Sequence, residues 1–248
     1  MKRIFTISRR GLMLTYTARY AHGGRVCVNM RSVNLCDATS ETAVQNAASC
    51  VKRGGVIALP TDTVYGLACI ANDQKAVKNL YSIKSRDNRK PVAICVATIE
   101  DLKFWGKADH LEDDLLNTLL PGPVTIVLEK SHNLENPYLN PGVSKIGIRI
   151  PNCPFIQKIC EEIKLPLALT SANKSNEKSS LNVYEFEDLW PHLLAVFDGG
   201  QLGVTEQQRS ASTVIDLSMP GKCNVLREGV AMLKTTRTLN QFNIIVVR

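Results

Sequence analysis

Short apolar runs, each cut off by proline, glycine or a cluster of hydroxyl-bearing residues, recur along this 248-residue chain and confine it to one class of fold. The run 56–59 stops at Pro60, which cannot supply a ladder N–H. Others span 92–97, 124–128 behind Pro121-Gly122-Pro123, 166–170, 193–197 ahead of Asp198-Gly199-Gly200, and 212–217. Runs this short suit strands and not helices. Between them lie stretches with apolar residues at three- and four-residue steps. One covers 39–52, with Ala43, Val44, Ala47, Ala48 and Val51 on one face, and another 73–82, with Ala76, Val77, Leu80 and Tyr81. Residues 99–120, 155–163 and 183–189 also read as helical. Strands alternating with helices indicate an α/β domain in which helices pack on a twisted sheet. The pattern does not separate parallel from antiparallel pairing, and no internal repeat is evident.

The net charge of +7 favours anionic partners such as nucleotides or RNA, and equally suits a merely soluble surface. The eight cysteines form no Cys-x-x-Cys pair, which argues against a structural zinc site and for reduced thiols in a cytosolic or mitochondrial compartment. No apolar run approaches the roughly 20 residues that span a bilayer, so stable membrane insertion is not expected. Residues 1–40 stand apart. Lys2, Arg3, Arg9, Arg10, Arg19, Arg25 and Arg31 face the single acid Asp37, the composition of a mitochondrial targeting segment. A flexible basic arm that touches RNA weakly is the alternative. This divides the chain into a basic leader at 1–40, a folded domain at 41–233 and a tail at 234–248 with weak signals.

Polar residues collect where the strands end. Thr61, Asp62 and Thr63 follow the first run, at the kind of sheet edge where α/β proteins bind ligands, although Thr and Asp also build ordinary turns. Ser171-Ala172-Asn173 repeats that arrangement after the run 166–170. Lys84 and Arg86 are two apart, so in an extended segment they share a side and make either an anion clamp or a solvated charged turn. In Lys145-Ile146-Gly147-Ile148-Arg149-Ile150-Pro151, alternation puts Gly147 and Arg149 on one face and three isoleucines on the other.

Taken in order, Pro60-Thr61-Asp62-Thr63-Val64-Tyr65-Gly66-Leu67, Lys84-Ser85-Arg86, Pro121-Gly122-Pro123-Val124-Thr125, Gly147-Ile148-Arg149-Ile150-Pro151, Thr170-Ser171-Ala172-Asn173, Asp198-Gly199-Gly200, Ser212-Thr213-Val214-Ile215-Asp216 and Leu226-Arg227-Glu228-Gly229 resemble the YrdC-type threonylcarbamoyl-AMP synthase family, its animal members above all. The resemblance spans about 40–232 and implies a single domain, a twisted mixed sheet flanked by helices with a basic concave cleft. It implies a nucleotidyltransferase that joins L-threonine, bicarbonate or carbon dioxide, and ATP into L-threonylcarbamoyladenylate and pyrophosphate. That is the first step of N6-threonylcarbamoyladenosine formation in tRNA, completed by a separate transferase complex; residence in both cytoplasm and mitochondrion is expected from the composition of residues 1–40. By resemblance Lys84 and Arg86 are catalytic and contact the triphosphate with Ser171, Asn173, Arg227 and one of Ser179 and Ser180. Thr61, Thr63, Arg149 and Ser212 hold threonine, Arg149 by a bidentate fork on its carboxylate. Mg²⁺ arrives on ATP oxygens, with no protein metal site.

Departures accompany the match. Many members read Lys-Gly-Arg-Pro where this chain has Lys84-Ser85-Arg86-Asp87, and carry histidines where it has Cys95 and Cys153. The additional C-terminal domain of long fungal and archaeal relatives has no counterpart in the motifs found. Two other classes stay open on the residues alone: an RNA-binding module, and a regulatory protein that kept the fold and lost turnover.

Overall fold

Side chains alternate between the two faces of a strand, so strand register decides which residues of this chain meet. The computed structural model describes residues 33–84, 91–175 and 177–247. In chain order the elements are β1 (Asn34–Asp37), α1 (Ala43–Lys52), β2 (Ile57–Leu59), β3 (Gly66–Ile70), α2 (Gln74–Ile83), β4 (Ala93–Cys95), α3 (Ile99–Trp105), α4 (Asp113–Leu119), β5 (Val124–Glu129), β6 (Lys145–Arg149), α5 (Pro154–Ile163), β7 (Leu167–Ser171), β8 (Ala195–Asp198), β9 (Thr213–Asp216), β10 (Lys222–Arg227), α6 (Met232–Gln241) and β11 (Ile245–Val247). Two 3₁₀ segments, Val183–His192 and Glu206–Arg209, flank β8.

Among the described residues the strands form one sheet in the order β1-β8-β2-β3-β7-β4-β6-β5-β9-β10-β11. It is mixed: β1 with β8, β8 with β2, β4 with β6, β5 with β9 and β10 with β11 run parallel. The remaining neighbours run antiparallel. On one face Ile57, Leu59, Ala68, Ile70, Leu167 and Leu169 pack under the apolar sides of α1 and α5. On the other, Ala58, Leu67, Ile126, Ile146, Ile148 and Ile215 join residues of α2, α3, α4 and α6 in a larger core. The second of these cores therefore runs the length of the sheet, whereas the cluster under α1 and α5 contains no residue of β5, β6 or β9. That half of the face is left to form a concave surface.

Local chemistry explains the boundaries. Asp73 caps α2, its carboxylate accepting from the N–H groups of Lys75 (2.9 Å) and Ala76 (3.0 Å), which supplies partners for otherwise orphaned donors. The helix expected over 39–52 starts only at Ala43, because Asp37 binds the Thr39 N–H and hydroxyl (2.8 and 2.6 Å) and holds that stretch in a turn. It closes at Gly54, whose φ of +76° is left-handed. The helix expected over 99–120 is two helices. Gly106 breaks it, pairing with Lys130 and lying so close to β6 that a Cβ would come within 2.7 Å of Ile148 Cδ1. The stretch expected to be helical at 183–189 is 3₁₀, interrupted at Phe186.

Both ends of the expected division change. Residues 34–37 belong to the sheet as its edge strand β1, so the folded region begins before residue 41, while 1–32 lie outside the described residues. The stretch after 234 carries most of α6, which buries Thr235, Thr238 and Leu239, and the edge strand β11. Its signals were weak because α6 buries threonines instead of an apolar stripe.

Gly229 fixes how the chain returns after β10. A Cβ there would stand 2.4 Å from Ser212 C and Thr213 N and 2.5 Å from Ser212 O, all backbone atoms that cannot rotate aside. Replacing Gly229 with Ala should cost about 2 kcal/mol, the usual scale of overpacking, read as a lower urea midpoint at unchanged slope. An unaltered midpoint would show that this close approach is not constraining.

Candidate active site

The uncovered half of the sheet holds a cavity of about 460 Å³. Its floor follows from alternation: Thr125 and Val127 of β5, Lys145, Gly147 and Arg149 of β6, and Val214 and Asp216 of β9 all face it. Gly147 is needed for depth, since a Cβ would lie 2.9 Å from Thr125 Cγ2 across the floor. Small residues at that point leave room for a ligand.

Three loops that are distant in sequence converge at one end through Tyr65, which is fully buried. Its N–H donates to Ser180 O and its carbonyl accepts from Ala172 N–H, both at 2.8 Å. The phenol donates to Gly200 O (2.7 Å) and accepts from Gly199 N–H (2.9 Å). Burial pushes its pKa well up, so it stays a neutral donor. Gly199 is required against Pro60, where a Cβ would approach the ring carbons to 2.7 Å. The Thr61, Ser171 and Asp198 motifs are thereby fixed relative to one another.

Ahead of Tyr65 the Thr-Asp-Thr loop folds on itself. Thr61 Oγ1 accepts from the N–H groups of Thr63 (3.0 Å) and Val64 (3.2 Å) and donates to Val64 O (2.7 Å), with the Thr63 hydroxyl 3.0 Å away. This turns Asp62 towards Arg149. Arg149 Nη2 donates to Asp62 Oδ1 at 2.5 Å and reaches Thr63 Oγ1 at 3.4 Å, while Asp62 Oδ2 accepts from Asn152 N–H at 3.0 Å. Both side chains are over nine-tenths buried. Arg149 Nε, also buried, has no hydrogen-bond partner among the described residues. The guanidinium lines the cavity, a position suited to an anionic ligand.

A second polar centre stands on the neighbouring strand end. Ser212 Oγ is 2.8 Å from Thr125 Oγ1, and Arg227 donates to Ser212 O through Nε (3.0 Å) and Nη2 (2.8 Å) and to Ser212 Oγ (2.9 Å). Further along the floor Lys145 Nζ meets Asp216 Oδ2 at 2.8 Å. Burial works to raise the Asp216 pKa, but hydrogen bonds from Lys145 and Ser218 outweigh it and hold the carboxyl below its usual range.

Of the residues expected at the site, Thr61, Arg149, Ser171, Ser179, Ser212 and Arg227 line the cavity. Thr63 sits behind Arg149. Lys84 is 1% exposed at the end of α2, its ammonium bonded to the Ser171 carbonyl, so it lies behind the wall that Ser171 forms. Arg86, its expected companion in the clamp, lies outside the described residues. Asn173 is turned to its own loop, its amide donating to Lys174 O (2.6 Å) and Glu177 O (2.8 Å). Ser180 spends its hydroxyl on Ala172 O (2.8 Å), which leaves Ser179 as the serine of that pair on the wall. Cys95 is fully buried with its thiol pushed up to about 12 by burial, and burial also raises Cys153, so both stay protonated near neutral pH. The sequence reading passed over Tyr65, Thr125, Lys145 and Asp216. For Lys145 a signal existed, since it alternates in phase with Gly147 and Arg149.

A family model described as "Sua5_yciO_yrdC: Telomere recombination" matches residues 49–229. The chain belongs to the Sua5/YciO/YrdC family. The span of the match includes every wall residue from Thr61 to Arg227. Among relatives of this family, the threonylcarbamoyl-AMP synthase of Homo sapiens is 46% identical over 201 residues, covering 80% of this chain and 71% of its own. That of Bos taurus is 43% identical over 205 residues, covering 82% and 74%. A crystal structure of Pyrococcus abyssi Sua5 complexed with L-threonine superposes with a TM-score of 0.75 at 29% identity over 87% of this chain. This chain spans 62% of the length of that archaeal protein.

The Arg149–Asp62 pair gives the site its first test. Removing one partner of a buried ion pair strands the other, so Asp62→Ala should destabilise the fold by about 3 kcal/mol in urea unfolding at neutral pH. A change under about 0.5 kcal/mol would mean that Arg149 finds water or another acceptor there.

Proposed function

We infer that this chain condenses L-threonine, bicarbonate or carbon dioxide, and ATP into L-threonylcarbamoyladenylate and pyrophosphate, a nucleotidyl transfer that opens the synthesis of N6-threonylcarbamoyladenosine in tRNA. The observation that carries the reading is one cavity lined together by Arg149, Arg227 and Lys145 and by the hydroxyl residues Thr61, Ser171 and Ser212, in a chain 46% identical to a threonylcarbamoyl-AMP synthase.

The threonine amine adds to carbon dioxide, losing a proton and giving a carbamate. One carbamate oxygen attacks the α-phosphorus of ATP and the bond to the bridging oxygen breaks, releasing pyrophosphate. Negative charge accumulates on phosphoryl oxygens in that transition state, so fixed cations and dipoles supply most of the catalysis. Arg149 takes the threonine carboxylate. With Nη2 held by Asp62, the guanidinium is locked in orientation for that contact. Thr61 and Ser212 border the rest of the amino acid, with Thr63 acting from behind through its contact with Arg149. Ser171, Ser179 and Arg227 serve the nucleotide, with Lys84 adding charge directly behind Ser171, and Arg86 is assigned to the same task. Asn173 acts through the loop it shapes.

Mg²⁺ enters as MgATP. Among the described residues no group of three or more His, Cys, Asp and Glu side chains could hold a metal ion, and the Asp216 carboxylate on the wall is engaged by Lys145. The ion is assigned to phosphate oxygens, the usual mode of Mg²⁺ at nucleotide sites. A separate complex transfers the threonylcarbamoyl group to tRNA.

Incubation with threonine, bicarbonate and MgATP should yield the adenylate by mass spectrometry, in a threonine-dependent manner. Its absence with active control enzyme would overturn the reading. Lys84→Ala should abolish product while the unfolding transition remains cooperative; undiminished product would remove Lys84 from the mechanism.

We also assign the chain to both cytoplasm and mitochondrion, on the basic composition of residues 1–40. Because β1 begins at Asn34 and pairs with β8, removal of a leader must occur before Asn34 if the sheet is to keep its edge. Residues 1–40 fused to a fluorescent reporter should direct it to mitochondria, and a wholly cytosolic reporter would refute the assignment.

A further inference from the structure

Two loops that leave different strands are strapped together at the rim of the cavity by one side chain. Residues 177–182, after β7, carry Ser179 on the wall; residues 199–212, between β8 and β9, bring Ala211 and Ser212 to the same wall. Arg209 joins them without lining the cavity itself. Its Nη1 donates to Ser179 O at 2.7 Å and to Glu185 Oε2 at 2.6 Å, Nη2 to Glu185 Oε1 at 3.2 Å, and Nε to Glu206 Oε1 at 3.2 Å. Glu185 in turn accepts from Leu181 N–H (3.2 Å) and from Asn182 Nδ2 (3.0 Å). Only a planar fork with five donors can serve a carbonyl and two carboxylates at once.

The carbonyl of Ser179 belongs to the peptide plane that joins it to Ser180. That plane cannot turn without losing a charge-assisted hydrogen bond at one end, and the Ser180 hydroxyl anchors the other side on Ala172 O. Ser179 is thus held facing the cavity before any ligand arrives, and the ordering cost that binding would otherwise carry has already been met in folding. The geometry points to Arg209 as a positioning residue for the nucleotide, presenting the Ser179 wall to the triphosphate, while Ser212 and Arg149 of the threonine seat are held separately by Thr125, Arg227 and Asp62. This rests on the synthase reading given above.

The test compares Michaelis constants for the two substrates in adenylate formation by the full chain, with thermal unfolding alongside. Arg209→Ala should raise KM for ATP about tenfold, the scale of one charge-assisted hydrogen bond, and leave KM for threonine within about twofold. Its melting temperature should hold, because the network is half at the surface. Arg209→Lys should recover only part of the ATP affinity, since a point charge cannot span the three acceptors. Glu185→Gln should raise KM for ATP in the same direction, with no addition when combined with Arg209→Ala. An unchanged KM for ATP in Arg209→Ala, or equal rises for both substrates with a lowered melting temperature, overturns the assignment. The wild-type chain separates the two failures: no adenylate from it sinks the synthase reading, whereas an active wild type matched by Arg209→Ala sinks only the strap.

Discussion

Tyr65 is the point on which the site depends. Its backbone pairs with Ser180 and Ala172, and its phenol with Gly199 and Gly200, so a single buried residue holds three loops from three strand ends. Each of those bonds is modest alone, about 1 kcal/mol net, but leaving any of the buried partners unpaired costs more than that. The ring also stacks at a tilt on Phe186, which fixes its position from behind. The rigid ring carries the phenol oxygen to the Gly199-Gly200 turn.

The cavity itself exists because the sheet is covered unevenly. Helices α1 and α5 pack side by side and cover β8, β2, β3 and part of β7, and the core beneath them ends before β5 and β9. The exposed strands then carry polar residues on the open side and isoleucines on the buried one, as in β6, where Lys145, Gly147 and Arg149 oppose Ile146 and Ile148. Charges on this surface are paired, Arg149 with Asp62 and Lys145 with Asp216, and Arg209 pairs with Glu185 at the rim. Pairing fixes orientation as well as offsetting desolvation, so each guanidinium or ammonium is aimed before substrate arrives. An enzyme that stabilises charge on phosphoryl oxygens needs that kind of preorganisation more than it needs a nucleophile, and both cysteines nearest the site are held protonated by burial.

Much of the architecture was legible in the chain. The helical stretches that became α1, α2 and α5, the alternation in β6 and the proline and glycine stops all express local preferences that act within a few residues. Where reading failed, a non-local contact had overridden local propensity. The helix at 99–120 broke because Gly106 had to pass over Ile148, and α6 was missed because the surface it covers accepts threonines. Lys84 and Asn173 were expected on the wall and stand behind it or beside it, a difference of a few ångströms that no spacing rule records.

By itself the sequence determined many of the strand and helix segments, the proline and glycine stops that end them, and the set of polar motifs at strand ends, since these arise from sterics and periodicity over short stretches. Only the tertiary structure decided which motifs meet. Arg149 and Asp62 are 87 residues apart, and Tyr65 and Gly200 are 135 apart. Such contacts depend on the order in which strands join the sheet and on which half of its face the helices leave open, and that order is set by packing of the whole chain instead of by any segment of it.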